Sequence, residues 1–198
     1  MGYGFLDFEM TCDGIQDNGR FIDDGRMKES QREIISIGFV ICDEKYKIQR
    51  KYSTFIKPVH NTELSDYCLN LTGIKQSDVD SGKKSNNAFR AICELCKTYS
   101  VDRIYTYGSA DQRAVNYSMK WNKKANEKVG NMYPIRDKII DISPSIISAG
   151  NYKSLKKRPG LYRIASDLGL VNNQEAHNAL NDAMMLYRVC KKLGIHFD

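Results

Sequence analysis

The stretch "LDFEMT", Leu6–Thr11, decides how this chain is read. With Phe5 before it, the run is aromatic and apolar and meets no glycine or proline until Gly14, so residues 5–11 are expected to form a strand. A strand sends successive side chains to opposite faces. Leu6, Phe8 and Met10 therefore share one face, and Asp7 and Glu9 share the other. Two neighbouring carboxylates on a covered face repel each other and lose hydration, so something must neutralise them. The bland alternative is an edge strand with one wet face. The six residues by themselves leave both readings open.

Downstream residues supply a sheet for this strand. Residues 13–32, DGIQDNGRFIDDGRMKESQR, are polar and glycine-bearing and read as one long loop. Its acids do not form an EF-hand: counted from Asp13, position 6 is Asn18 rather than glycine and position 12 is Asp24 rather than glutamate. EIISIGFVICD (33–43) is a second strand, with tight packing allowed at Gly38, and KIQRKYSTFIKP (47–58) a third, ended by Pro58. Three strands in succession imply an antiparallel meander. Then the pattern alternates. A short helix and a glycine turn occupy TELSDYCLNLTGI (62–74), a helix SNNAFRAICELCKTYS (85–100), a strand RIYTYG (103–108) and a helix ADQRAVNYSMKWN (110–122). KIIDIS (138–143) is a strand, and PGLYRIASDLGL (159–170) a helix with Pro159 in its first turn. The last helix is AHNALNDAMMLYRVCKKLG (176–194), whose apolar positions 176, 179, 180, 183, 186, 187, 190 and 193 keep the helical period. The expected fold class is α/β: a mixed sheet, an antiparallel three-strand meander followed by alternating α and β, flanked by helices and forming one domain over 1–198. In such sheets active sites gather at strand ends and the adjoining helix starts.

Composition narrows the function classes. The 198 residues are 41% hydrophobic and 27% charged, an ordinary soluble balance, and 30 Lys plus Arg against 24 Asp plus Glu leave a net charge of +6. That excess suits a polyanionic partner. No apolar stretch is long enough to span a membrane, and the N-terminus has no basic segment followed by an apolar core, so neither membrane insertion nor secretion is expected. Six cysteines lie mostly in apolar stretches, as reduced thiols of a cytoplasmic protein would. Cys93-x-x-Cys96 has no second pair to complete a zinc site and falls in an amphipathic helix, so core packing is expected rather than redox or zinc chemistry.

Further acids bear on the opening problem. Asp111 follows a strand near a helix start, where it and Ser109 also suit capping. Asp182 lies among Ala179, Leu180, Ala183, Met184 and Leu186, on or beside a core-facing stripe, and its bland reading is a solvated acid at the stripe's edge. His177 precedes Asp182 by five residues, and a lone histidine is usually structural.

Taken together, Asp7-x-Glu9 at the end of a first strand, Asp111 after a middle strand and His177-x4-Asp182 on a late helix resemble the DEDDh family of 3′→5′ exonucleases. LDFEMT, EIISIGFVICD, LSDYCLNLTGI and HNALNDA carry the resemblance in order along nearly the whole chain, and the first and third look closest to the family's small RNA-trimming branch. The resemblance implies a ribonuclease H-like fold and two ions, Mg²⁺ or Mn²⁺, held by Asp7, Glu9, Asp111 and Asp182. It makes His177 the base that takes a proton from the attacking water. It also puts Met10 and Thr11 near the terminal nucleotide, and Leu71, Thr72 and Gly73 near the terminal base and sugar; core packing and turn formation are the competing readings of these five. The implied partner is the 3′ end of RNA, or single-stranded DNA. In KSLKKRPG, Lys153, Lys156, Lys157 and Arg158 form either a solvated face or a phosphate contact, whereas Tyr105 and Tyr107 are expected in the core. The expected function is metal-dependent removal of nucleotides from an RNA 3′ end. The alternatives are a DNA-specific repair or proofreading exonuclease and a non-catalytic nucleic-acid-binding module, which has no need of four carboxylates facing a polyanion.

Overall fold

The computed structural model describes residues 2–152, 157–170 and 178–197. Strands β1 (Gly2–Met10), β4 (Ile34–Asp43) and β5 (Ile48–Phe55) pair antiparallel in sequence order, the expected meander. β6 (Val101–Thr106) joins β1 in parallel, and β7 (Ile139–Asp141) joins β6 in parallel. The order across the mixed sheet is β5-β4-β1-β6-β7, so β1 is the central strand. That excludes the edge-strand reading of Asp7 and Glu9.

Alternation along β1 is the one the sequence implies. Leu6 and Phe8 are buried on one face among Ile37 and Phe39 of β4, Phe89 and Ile92 of α3 (Ser85–Thr98) and Val115 of α4 (Ala110–Lys124). Phe5 is buried on the opposite face with Val40, Tyr105 and residues of α8 (Ala179–Lys192), including Ala183, Leu186 and Tyr187. Phe5 and Phe39 are wholly shielded from solvent, and burial of a side chain of this size stabilises the fold by about 1.5–3 kcal/mol. Asp7 and Glu9 share the Phe5 face, under α8.

Gly38 explains how α8 comes so close. It pairs with Asp7 across the β1–β4 ladder, and a Cβ placed on it would stand 2.0 Å from the Ala179 carbonyl oxygen and 2.2 Å from the Leu180 nitrogen. The first turn of α8 thus rests on the sheet backbone directly beside Asp7, and only a residue without a side chain permits it. Asn178 caps that turn by accepting from the amides of Leu180 and Asn181 at 3.1 and 3.2 Å.

Several expectations change. Residues 13–32 are not one loop: β2 (Ile15–Asp17) and β3 (Arg20–Ile22) form a hairpin whose turn has Asn18 and Gly19 at positive φ, and Glu29–Gln31 form a 3-10 turn. Asn-Gly is a strong hairpin signal, here outweighed in the sequence by the polarity around it. The third strand stops at Phe55, three residues before Pro58, after which Ile56 bridges to Lys83. Pro159 does not open α7 (Leu161–Asp167); Gly160 is its N-cap. Helices α2 (Gln76–Asp80), α5 (Met132–Lys138) and α6 (Ser143–Ala149) span five to seven residues, too few for a periodic pattern. Short helix α1 (Asp66–Thr72) follows its forecast. Ser65 caps its start by accepting from the Cys68 amide, and Gly73 ends it at φ 67°. No helix among the described residues is long and apolar enough to cross a membrane.

Candidate active site

The carboxyl end of β1, the start of α4 and the first turns of α8 converge. Ligand oxygens of Asp7, Glu9 and Asp182 all lie within 4.8 Å of one another, the one group of this kind among the described residues. Asp111 adjoins it from α4, where it is buried and accepts from the Phe8 amide at 3.3 Å. Asp111 thus reaches across to the backbone of β1, and Ser109, at the N-cap, makes no side-chain capping bond. Burial holds the Asp111 carboxyl up at about 7, although the Phe8 amide favours its charged form. Asp7 is pushed well above the usual carboxylate range by burial first, then by Asp111, Asp182 and Glu9. Burial, Asp182, Cys68 and Asp111 push Glu9 up to about 8.

Asp7, Glu9 and Asp182 each keep part of their surface in contact with solvent. Among the described residues no hydrogen bond is directed at the carboxylates of Asp7 or Glu9, while Asp182 accepts from the hydroxyl of Tyr162 on α7. This donor set is all hard oxygen and crowded, which fits a hard divalent cation. His177 lies outside the described residues.

The remaining sequence-predicted positions occupy the same strand end or its neighbour α1. Thr11 is 2% exposed, and its Oγ1 accepts from the Glu33 amide and Asn61 Nδ2 at 2.9 and 3.1 Å. Met10 packs partly against the main core. Ser65 Oγ on α1 donates to the Cys12 carbonyl at 2.7 Å, and Cys68 Sγ lies 3.8 Å from the Met10 carbonyl, so α1 hangs from the end of β1. Thr72 is buried, its hydroxyl donating to the Cys68 carbonyl at 2.8 Å; Leu71 packs partly against the small cluster beneath α1, and Gly73 is exposed. Both threonine hydroxyls are thus already engaged in local structure.

In the basic run, Lys153 and Lys156 lie outside the described residues. Arg158 is anchored rather than free: its guanidinium bonds Ser143 Oγ at 3.0 Å, lies 3.8 Å from Asp141 and sits over the Tyr107 ring. Tyr105 is buried in the core and Tyr107 partly so. All six cysteines are free; Cys96 is core, and Cys93 is half-buried beside the Asn131 carbonyl. Among the acids of the 13–32 segment, Asp23 pairs with Arg32 and Asp24 with Arg26 at 2.8 Å each, and Glu29 with Arg113 at 2.7 Å. Sequence reasoning passed over two residues of the site. Tyr162 carries no spacing signal that would link it to Asp182. Asp141, whose charge also raises Asp111, accepts from the amides of Gly108 and Ser143 at 2.8 Å and was visible only as the acid of a predicted strand.

Residues 5–190 match the RNase_T exonuclease family. Over 190 residues the chain is 25% identical to human 3'-5' exoribonuclease 1, which covers 95% of this chain but 51% of the relative, so the chain spans about half the length of that protein. It is also 25% identical over 161 residues to the probable 3'-5' exonuclease KapD of Bacillus subtilis (strain 168), covering 80% of this chain and 72% of KapD. The solved nuclease domain of 3'hExo, a DEDDh family member bound to rAMP, superposes with a TM-score of 0.74 at 24% identity, over 96% of this chain and 89% of that one. At that identity the likeness is one of fold, and the fold is the α/β, ribonuclease H-like mixed sheet of the DEDDh exonucleases.

Proposed function

The chain belongs to the RNase_T exonuclease family, and on that premise we propose that it is a metal-dependent 3′→5′ exonuclease that removes nucleotides from the 3′ end of RNA. One observation carries the reading: Asp7, Glu9 and Asp182 present their oxygens within 4.8 Å of one another on the covered face of a central strand, with Asp111 alongside. Such crowding costs stability unless a cation joins it. Asp7, Glu9, Asp111 and Asp182 are the residues that would hold Mg²⁺ or Mn²⁺. Bound divalent ions would supply charge stabilisation to the attacking and leaving oxygens of the phosphodiester.

The protein's own part is to hold and to move a proton. Gly38 lets α8 approach, so that Asp182 faces Asp7. Tyr162 orients Asp182 by donating to it. His177, by its place in the family motif, takes the proton of the attacking water, as an imidazole titrating near neutrality can. Met10, Thr11, Leu71, Thr72 and Gly73 form the nearest wall for a terminal nucleotide; with both hydroxyls engaged, their contribution is backbone and apolar surface. Residues 1–198 are read as one exonuclease domain, supported by the family match over 5–190. The preference for RNA is supported by the relatives' names and by rAMP in the 3'hExo structure. Six free cysteines support a cytoplasmic setting.

The test is incubation with 5′-labelled RNA and DNA of matched sequence, with Mg²⁺, Mn²⁺ or EDTA. Stepwise shortening of RNA from its 3′ end, stopped by EDTA or a blocked 3′ terminus, is the expected result. His177→Ala should retain metal binding and lose roughly two to four orders of magnitude in turnover. Degradation of circular RNA at the linear rate overturns the exonuclease reading, and faster shortening of DNA overturns the RNA preference.

A further inference from the structure

Helix α4 links the acids to a second surface. Its first turn carries Asp111 at the site, and Lys120, Trp121 and Lys124 lie about 14–20 Å further along its axis at 1.5 Å per residue. Trp121 is the only tryptophan of the chain, yet it is not in the core but partly exposed. The His60 ring stacks on it at 3.7 Å and 7°, and Lys120 Nζ and Lys124 Nζ lie 5.6 and 4.4 Å from its centroid. The stack is anchored from three segments. Trp121 Nε1 donates to the Ser30 carbonyl at 3.2 Å, and the Glu33 carboxylate holds the Val59, His60 and Asn61 amides at 2.7–2.9 Å.

The arrangement repeats beside it. Tyr133 of α5 is 36% exposed, with Lys123 Nζ 5.3 Å and the Arg136 guanidinium 5.2 Å from its ring. Two surface rings are thus each flanked by two cations, of which Arg136 is itself paired with Asp137 at 2.6 Å. Lys120, Lys123 and Lys124 make no ion pair among the described residues, although the chain has 24 acids to offer. A merely solvated helix face does not need an immobilised tryptophan on it.

We propose that this face, built on Lys120, Trp121, Lys124 and His60 and continued by Tyr133 and Arg136, binds the single-stranded nucleic acid upstream of the end being processed. Lysines would take its phosphates, and the exposed stack would take a base, the combination that serves single strands without regard to sequence. This rests on the exonuclease reading, because the strand must enter with its 3′ end at the acids.

The experiment compares wild type, Lys120→Glu/Lys124→Glu and the control Lys45→Glu/Lys47→Glu, which makes the same charge change in the turn between β4 and β5. Binding of a fluorescent 20-nucleotide single-stranded RNA is measured by anisotropy in EDTA against salt, and kcat/KM is measured with Mg²⁺ on that RNA and on a dinucleotide. For the α4 pair, affinity should fall about ten-fold or more and the salt slope by about two. The ratio of kcat/KM on the 20-mer to that on the dinucleotide should fall in parallel, while the control pair behaves as wild type. If charge reversal prevents folding, Lys120→Gln/Lys124→Gln makes the same test. Equal losses in both pairs, an unchanged ratio, or displacement of the RNA by polyglutamate as readily as by poly(U) overturns the proposal. Wild-type protein that binds RNA through these lysines but shortens neither the 20-mer nor the dinucleotide supports the face and overturns the exonuclease reading instead.

Discussion

Two carboxylate sites meet at the end of β1, and they are built in opposite ways. Glu33 is 2% exposed, and its two oxygens accept three backbone N–H bonds, from Val59, His60 and Asn61. The protein itself supplies everything that carboxylate needs, and the result is a pinned turn. Asp7 and Glu9 accept nothing among the described residues and face Asp182 and Asp111 instead. A buried acid whose donors come from the chain is structural; a group of acids that face one another marks a place kept for a cation from outside.

Removing one acid from each site should therefore have opposite consequences. Asp7→Asn deletes a ligand and a like charge together. Its kcat/KM on RNA should fall by roughly three orders of magnitude or more, and the rise in melting temperature that Mn²⁺ brings to wild type should be lost. Its metal-free melting temperature should rise. A metal-free variant less stable than wild type breaks the comparison, because it makes Asp7 a structural acid like Glu33.

Gly38→Ala attacks the approach of α8 without touching any acid. With a Cβ 2.0 Å from the Ala179 carbonyl, the helix must move, at a cost of about 3 kcal/mol or more. Its melting temperature should drop by about 6–12 °C. Activity and Mn²⁺ affinity should fall even at temperatures where the variant is fully folded, because Asp182 moves with the helix. A folded variant with wild-type metal affinity would show that the distance between β4 and α8 does not set the site.

Glu33→Gln turns an acceptor into an amide that meets N–H donors. The expected loss is about 2–3 kcal/mol, with the Mn²⁺-dependent gain in melting temperature retained. Thermal melts with and without metal settle it, and a lost metal response would merge the two sites.

A last effect is one of pH. Asp7, Glu9 and Asp111 have folded-state values above those of unfolded carboxyls, with Glu9 near 8 and Asp111 near 7. The folded state binds the extra protons, so stability is fully present below about pH 4 and is lost as pH rises towards 8. Carboxylates held low, such as Asp23 with its Gly25 amide and Arg32 partners, act in the opposite sense and at lower pH. In EDTA the melting temperature should thus decline between about pH 5 and 8, and saturating Mn²⁺ should abolish the decline. A flat profile in EDTA would mean that the acids do not burden the fold.

Much of this molecule can be read from local pattern alone. Period-two alternation places Asp7 and Glu9 opposite Leu6 and Phe8, and the run EIISIGFVICD declares a strand. The glycine turn at Gly73 ends α1, and the motifs that hold Asp7, Glu9, Asp111, His177 and Asp182 resemble the exonuclease family. The strand and turn readings depend on residues near one another in sequence, where backbone geometry dictates which side chains share a face. Tertiary structure decided the rest. Whether β1 is central or at an edge depends on pairing with β6, some hundred residues away. That Thr11 and Thr72 spend their hydroxyls on neighbouring backbone and side chains, that Trp121 stacks on His60, and that Tyr162 donates to Asp182 are matters of long-range packing. So is the meaning of Gly38: in the sequence it only permits a close approach, and the fold alone determines that the first turn of α8 makes it and carries Asp182 to the metal-binding face.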